Sequence, residues 1–200
     1  YKAMGLLKKG HLIEVDRSTL VAGYVGQTAI KVSEAVESAI GGVLFIDEAY
    51  SLTMDKSGQD FGHEAVDTLL KAMEDRRGEF IVIVAGYNLE MQEFVLSNPG
   101  LQSRFNKYIY FEDYQPRELL SIFKGMCLKS DMVLARDAEK YLASFFTQRY
   151  NNRSKNYANA REVRNFYEKM LVLQANRLSE KANLTNEDLS YIKYDDVITV

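Results

Sequence analysis

Two unbroken apolar runs restrict this chain more than any other feature. Residues 43–46 read VLFI and residues 80–85 read FIVIVA, with no polar residue in either. A strand with one wet face alternates apolar and polar side chains, so an unbroken run implies cover on both faces. The stretch 63–76 between them carries Ala65, Leu69, Leu70 and Met73 at helical spacing. Ahead of the first run, 28–40 sets Ile30, Val32, Val36, Ala39 and Ile40 among Lys31, Glu34 and Glu37, which suits an amphipathic helix stopped by Gly41-Gly42. A short strand is expected at 12–15, a loop over 19–27, a polar loop over 50–62, a short helix over 90–96 and a weaker strand at 108–111. Strands that alternate with helices and lack polar faces predict an α/β layer on a largely parallel sheet.

The pattern shifts near 113–116. Pro116 can open a helix running to 128, and further helices fit 136–150 and 159–178, with the polar stretch 151–159 as a turn. Thr185 with Asp188 forms a possible capping box before a short last helix. The expected division is an α/β part over 1–114 and a helical part over 115–200.

Composition removes several functions. Twenty-five basic against 28 acidic side chains give a net charge of -3, so no basic field points to nucleic acid. Cys127 is alone, which excludes an internal disulfide and a cysteine zinc cluster, and His11 and His63 stand far apart in sequence. No run of 18 apolar residues exists, so no membrane span is expected; the lone cysteine fits a reducing compartment, and a cytoplasmic location is expected.

The chemistry gathers where the first apolar run ends. Asp47 and Glu48 stand side by side after Ile46, at the carboxyl end of a predicted parallel strand, the edge where such sheets bind ligands. Neighbouring side chains on a strand point apart, so the two acids can do different work. An aspartate there can hold Mg²⁺ through waters beside phosphate oxygens, and a glutamate can orient or deprotonate an attacking water. The plainer reading is a strand end with two solvated acids, and the motif alone leaves both open. Asn88 lies just past the second run, where parallel pairing would bring it near the acids, and an amide both donates and accepts; the plainer reading, which the residues alone favour, is that Asn88 only shapes the turn after Gly86.

Six stretches in order carry a resemblance: KGHLIEVDRSTLVAGYVGQTA, GGVLFIDEAYSL, FGHEAVDTLLKAMEDRRGEF, VIVAGYNLEM, SNPGLQSRF and NAREVRNFYEK. Spanning roughly 8 to 192, they resemble the AAA+ ATPases of the family that contains the red-type Rubisco activase CbbX and the stage V sporulation protein K. The resemblance implies the fold: an α/β, P-loop NTPase core with a parallel sheet, followed by an all-helical lid. It also implies the cofactors, ATP and Mg²⁺. Asp47 falls on the magnesium-linked acid of the Walker B element and Glu48 on its catalytic glutamate. Asn88 falls near the sensor 1 position, Arg104 on the arginine finger that reaches a neighbouring subunit's ATP, and Arg161 on the sensor 2 arginine of the lid. Tyr24, with Val25 and Gly26, falls on the pore loop. The implied partners are copies of the chain in a ring of six and a protein or peptide threaded through it, with no nucleic acid.

The family's phosphate loop, G-x-x-x-x-G-K-[ST], does not occur in these 200 residues. Family order puts it before residue 1, together with a first strand between those at 81–85 and 108–111. The expectation is therefore an ATP-hydrolysing remodeller as the parent protein, with these residues alone inactive. The alternative is a noncatalytic interaction module on the same fold.

Overall fold

The computed structural model describes residues 1–24, 26–54, 61–154 and 157–198. The chain divides into two compact units, Tyr1–Tyr110 and Phe111–Val200.

The first unit is an α/β layer on a parallel sheet. Strands β1 (Leu12–Val15), β2 (Val43–Ile46) and β3 (Ile81–Val84) pair in that order, all parallel, with Val15 opposite Ile46 and Ile46 opposite Val84. Parallel neighbours need crossovers, and the helices supply them. After a helical turn, α1 (Arg17–Leu20), α2 (Gln27–Ala39) returns the chain to β2, and α3 (Gly62–Asp75) returns it to β3. Helix α2 buries Val32, Val36 and Ala39 against the sheet. It ends where Gly41 adopts φ +84°, a conformation open to glycine and costly to residues with a Cβ. Next, Gly42 passes so close to His11 that an added Cβ would lie 2.4 Å from its carbonyl oxygen. Two glycines here thus serve a turn and a close approach.

Three local expectations need correction. The loop expected over 19–27 is shorter, because Asp16 caps α1: its Oδ1 accepts from Thr19 N at 2.9 Å. Strand β2 is not covered equally on both faces: Leu44 and Ile46 are buried, whereas Val43 and Phe45 are half-buried. Strand β3 is more open still, with Ile83 37% exposed. The crossover helices α2 and α3 pack against each other and so lie on one face of the sheet, which leaves the face bearing Val43, Phe45 and Ile83 with less cover. Residues 108–111 form no strand, and Phe111 is 88% exposed. A strand needs a ladder partner for its backbone groups, and among the described residues none pairs with the outer edge of β3.

After β3 come α4 (Asn88–Leu96) and α5 (Pro99–Arg104). The latter was not anticipated, although Asn98 and Pro99 announce it: Asn98 Oδ1 accepts from Gly100 N at 2.7 Å, and proline takes the first helical position.

The second unit is built from α6 (Pro116–Lys129), α7 (Arg136–Asn151) and α8 (Ala160–Ser179). Phe123 packs against Phe146, Phe166 and Tyr167 with ring centroids 5.7 to 6.4 Å apart, and this aromatic cluster forms the centre of its core. Gln115 and Glu118 close a capping box at the start of α6. Thr185 and Asp188 close the expected one before α9 (Asn186–Ser190). A feature absent from the sequence reading is a pair of two-residue parallel strands, β4 (Val133–Leu134) and β5 (Tyr191–Ile192). The final segment is held to α8 by a bidentate pair, Arg177 Nε to Asp196 Oδ1 at 2.7 Å and Nη2 to Oδ2 at 2.9 Å, with Asp196 only 1% exposed.

Candidate functional site

Parallel register brings the carboxyl ends of β1, β2 and β3 to one edge. Asp47 follows β2 there, and its backbone N–H still reaches Val15 O at 2.9 Å. The Asp47 side chain is exposed, and its Oδ1 accepts from the Glu48 N–H at 3.0 Å. Glu48 sits at φ 46°, ψ 43°, a left-handed conformation that costs about 1 kcal/mol or more for a residue with a Cβ. That kink turns the chain from β2 into a 3-10 turn, Ala49–Leu52. It also leaves the Glu48 side chain exposed beside Asp47 instead of folding into the core.

The neighbouring strand adds the rest of the edge. Ala85 N donates to Ile46 O at 2.9 Å and Ala49 N donates to Ala85 O at 3.1 Å, so the turn after β2 and the end of β3 are tied together. Asn88 begins α4 three residues further on and is exposed. The sheet thus brings Asp47, Glu48 and Asn88 to one edge. Between them lies Tyr50, unforeseen from the sequence. Its ring stands 6.3 Å from that of Tyr87 and fills the space over Gly86, where an added Cβ would meet Tyr50 Cδ1 at 2.7 Å. Burial, and then the charge of Glu48, push the Tyr50 phenol above its ordinary range, so it stays neutral. Gly86 in the run AGYN was the one available sequence signal for this close packing.

Tyr24 projects from the loop between α1 and α2 and is 73% exposed. Gly26 ends that loop at φ +79°, while Val25 lies outside the described residues. The root of the loop is pinned by two α2 side chains that carry no recognisable motif. The buried Thr28 Oγ1 accepts from Ala22 N at 3.0 Å, and Lys31 Nζ donates to Val21 O at 3.3 Å.

Arg104 is not at this edge. It ends α5 and lines a cleft of about 310 Å³ with Glu74, Gly78, Phe80 and Ser103. Gly78 and Phe80 precede β3, so the cleft lies toward the amino end of that strand, whereas the acids stand beyond the carboxyl end of β2. Arg104 Nη2 pairs with Glu74 Oε2 at 2.9 Å, and its Nε is buried without a partner. Arg161 lies in the helical unit, in the first turn of α8, with its side chain exposed.

The donors fit part of a magnesium nucleotide site. A single aspartate with an adjacent glutamate suits an ion that keeps most of its waters and arrives with phosphates. Among the described residues no cluster of three metal-ligating side chains forms a dedicated cage. The backbone cradle that phosphates require is not among these 200 residues, which contain no G-x-x-x-x-G-K-[ST].

A parallel sheet with crossover helices, an acidic pair at its carboxyl edge and a helical unit that follows in the chain define a class. Residues 2–113 match the family model of the ATPase family associated with various cellular activities (AAA), and residues 115–199 match the AAA lid domain. Solved structures agree on the fold. Thermotoga maritima RuvB aligns with a TM-score of 0.62 over 94% of this chain and 51% of its own, at 16% identity. The AAA domain of FIGL-1 in complex with ADP aligns with a TM-score of 0.61 over 92% of this chain and 60% of its own, at 13% identity.

Curated relatives narrow the class. The chain is 44% identical to stage V sporulation protein K of Bacillus subtilis over 97% of its length, and 41% identical over 98% of its length to the chloroplastic ribulose bisphosphate carboxylase/oxygenase activase of Cyanidioschyzon merolae. It is likewise 41% identical to a CfxQ homologue from Cyanidium caldarium over 98% of its length. The chain belongs to this CfxQ/CbbX and stage V sporulation protein K family of AAA+ ATPases. It spans 60%, 67% and 68% of those three relatives' own lengths, respectively.

Proposed function

We propose that this chain is the greater part of an ATP-driven, ring-forming protein remodeller whose hydrolytic sites are completed between subunits. Glu48 orients and deprotonates the attacking water. Asp47 holds the waters of Mg²⁺, and Asn88 positions the water or the terminal phosphate. ATP and Mg²⁺ together supply the phosphoanhydride and the charge neutralisation. Arg104 serves the neighbouring subunit, Arg161 senses the nucleotide from the lid, and the loop bearing Tyr24, Val25 and Gly26 grips a protein or peptide in the central pore. The strand carrying the phosphate loop belongs on the open edge of β3. Six subunits and a cytoplasmic location accompany this reading, as does the division into a core over 1–114 and a lid over 115–200.

The observation that carries the proposal is the separation of the acids from Arg104. They lie toward opposite ends of a sheet whose four-residue strands are about 13 Å long, too far for one arginine to bridge to its own acids and still hold Glu74. A guanidinium that cannot serve its own acids is free to serve those of the next subunit. The partly buried pair with Glu74, which is 60% exposed, is worth about 1 kcal/mol at most and is readily exchanged for phosphate.

The test is ATP turnover by the complete protein with Glu48→Gln. Removing a general base lowers the rate by about 100-fold or more while ATP remains bound. Turnover equal to wild type would take Glu48 out of the reaction.

A further inference from the structure

Asn159 holds a backbone conformation that a side chain makes unfavourable. Its φ of 53° and ψ of -124° fall where glycine is at home and other residues are rarely found. A glycine would satisfy this backbone without strain, so the asparagine side chain must offset the cost by what it binds. Its Nδ2 donates to Asp113 Oδ1 at 3.1 Å, and its Oδ1 accepts from the Tyr114 N–H at 3.2 Å. Only an amide, with a donor and an acceptor side by side, makes both bonds here.

The bonds close a joint. Asn159 precedes α8, and its own carbonyl accepts from Glu162 N at 3.0 Å in the first helical turn. Asp113 and Tyr114 belong to the segment that leads into α6. The second oxygen of Asp113 accepts from Arg153 Nε at 3.1 Å, and the Arg153 guanidinium lies 3.8 Å over the Tyr150 ring. The Tyr150 hydroxyl in turn accepts from Gln115 Nε2 at 2.8 Å. Glu162 ties the same first turn of α8 to Arg149 of α7. The start of α8 is therefore fixed to the lead-in of α6 and to the end of α7.

Arg161 sits two residues beyond this joint, on a long, exposed side chain whose reach is set by the direction of the first turn. We infer that Asn159 is a positioning residue: it trades backbone strain for a two-bond tether to residues 113–114 and thereby aims Arg161. The inference rests on the nucleotide-sensing role proposed for Arg161. Any displacement of the 113–114 segment is passed through the same tether to α8.

The experiment is a double-mutant cycle on the binding of a fluorescent ATP analogue to the complete protein, with thermal unfolding alongside. Arg161→Ala weakens binding by about tenfold, Asn159→Gly weakens it by about fivefold, and the double variant binds no more weakly than Arg161→Ala alone. Asn159→Gly leaves the melting temperature unchanged, because glycine adopts the same φ freely. Asn159→Asp sets a carboxylate against Asp113 and weakens binding as Asn159→Gly does; adding Asp113→Asn restores a donor opposite an acceptor and recovers most of the loss. Wild-type binding by Asn159→Gly, or losses that multiply in the double variant, would overturn the inference while leaving Arg161 its role. Wild-type binding by Arg161→Ala would remove that role, and the inference with it.

Discussion

Phe123 in the helical unit and Ile83 in the sheet unit are both apolar residues inside regular elements, yet their surroundings differ. Phe123 is fully buried among Phe146, Phe166 and Tyr167. Ile83 is 37% exposed on a strand whose outer edge has no partner among the described residues. The helical unit closes its own core and secures its last segment with the buried Arg177–Asp196 pair. The sheet unit buries Leu44, Ile46 and Leu69 but leaves an open edge at β3 and an exposed apolar stretch at 108–110. The two units have similar apolar content to work with. What separates them is whether each element finds a partner, because apolar surface stabilises a fold only when something covers it.

The contrast breaks most severely in the helical core. Phe123→Ala should cost about 3–5 kcal/mol, read from urea unfolding of the complete protein with hydrogen exchange localising the loss to residues 111–198. A cost below about 1 kcal/mol would mean that the helical unit is not the closed body described. Arg177→Ala comes next. It leaves Asp196 charged and buried without its partner, a loss of about 3 kcal/mol that should show as faster exchange across 191–197. The smallest effect belongs to the sheet edge: Ile83→Thr should cost about 1 kcal/mol or less in these residues taken by themselves, since little is buried there. In the complete protein the same substitution should cost more, because the proposed additional strand covers that edge. Equal costs in the two settings would argue against a strand on β3.

Much of this was legible in the sequence. Parallel strands were readable because VLFI and FIVIVA alternate with helical stretches, although their lack of polar residues overstated the cover on the second face, and helix ends were readable where Pro116, Thr185 and Gly41 mark them. The 108–111 expectation failed because local β propensity does not supply a ladder partner. Strand β4 escaped notice because two residues carry no period, and its pairing with β5 joins positions 58 residues apart. In the candidate site, Asp47 and Glu48 were visible because adjacent acids after an apolar run are uncommon and demand a reason. Tyr50, Thr28 and Asn159 were not. Their contributions depend on a ring over Gly86, a hydroxyl under Ala22 and a positive-φ backbone, and of these only the Gly86 contact leaves a trace in residue type.

The central claim is that acids from one subunit and an arginine from the next make one site. Glu48→Gln and Arg104→Ala should each abolish nearly all ATP turnover in the complete protein, the second by about 1,000-fold. Mixing the two inactive proteins tests the claim directly. In mixed rings, an Arg104→Ala subunit keeps intact acids and can receive Arg104 from a Glu48→Gln neighbour. Turnover should therefore reappear on mixing, at a substantial fraction of the wild-type rate. Mixtures that assemble into common rings yet stay as inactive as their components would place the acids and the arginine in a single subunit's site and contradict the account.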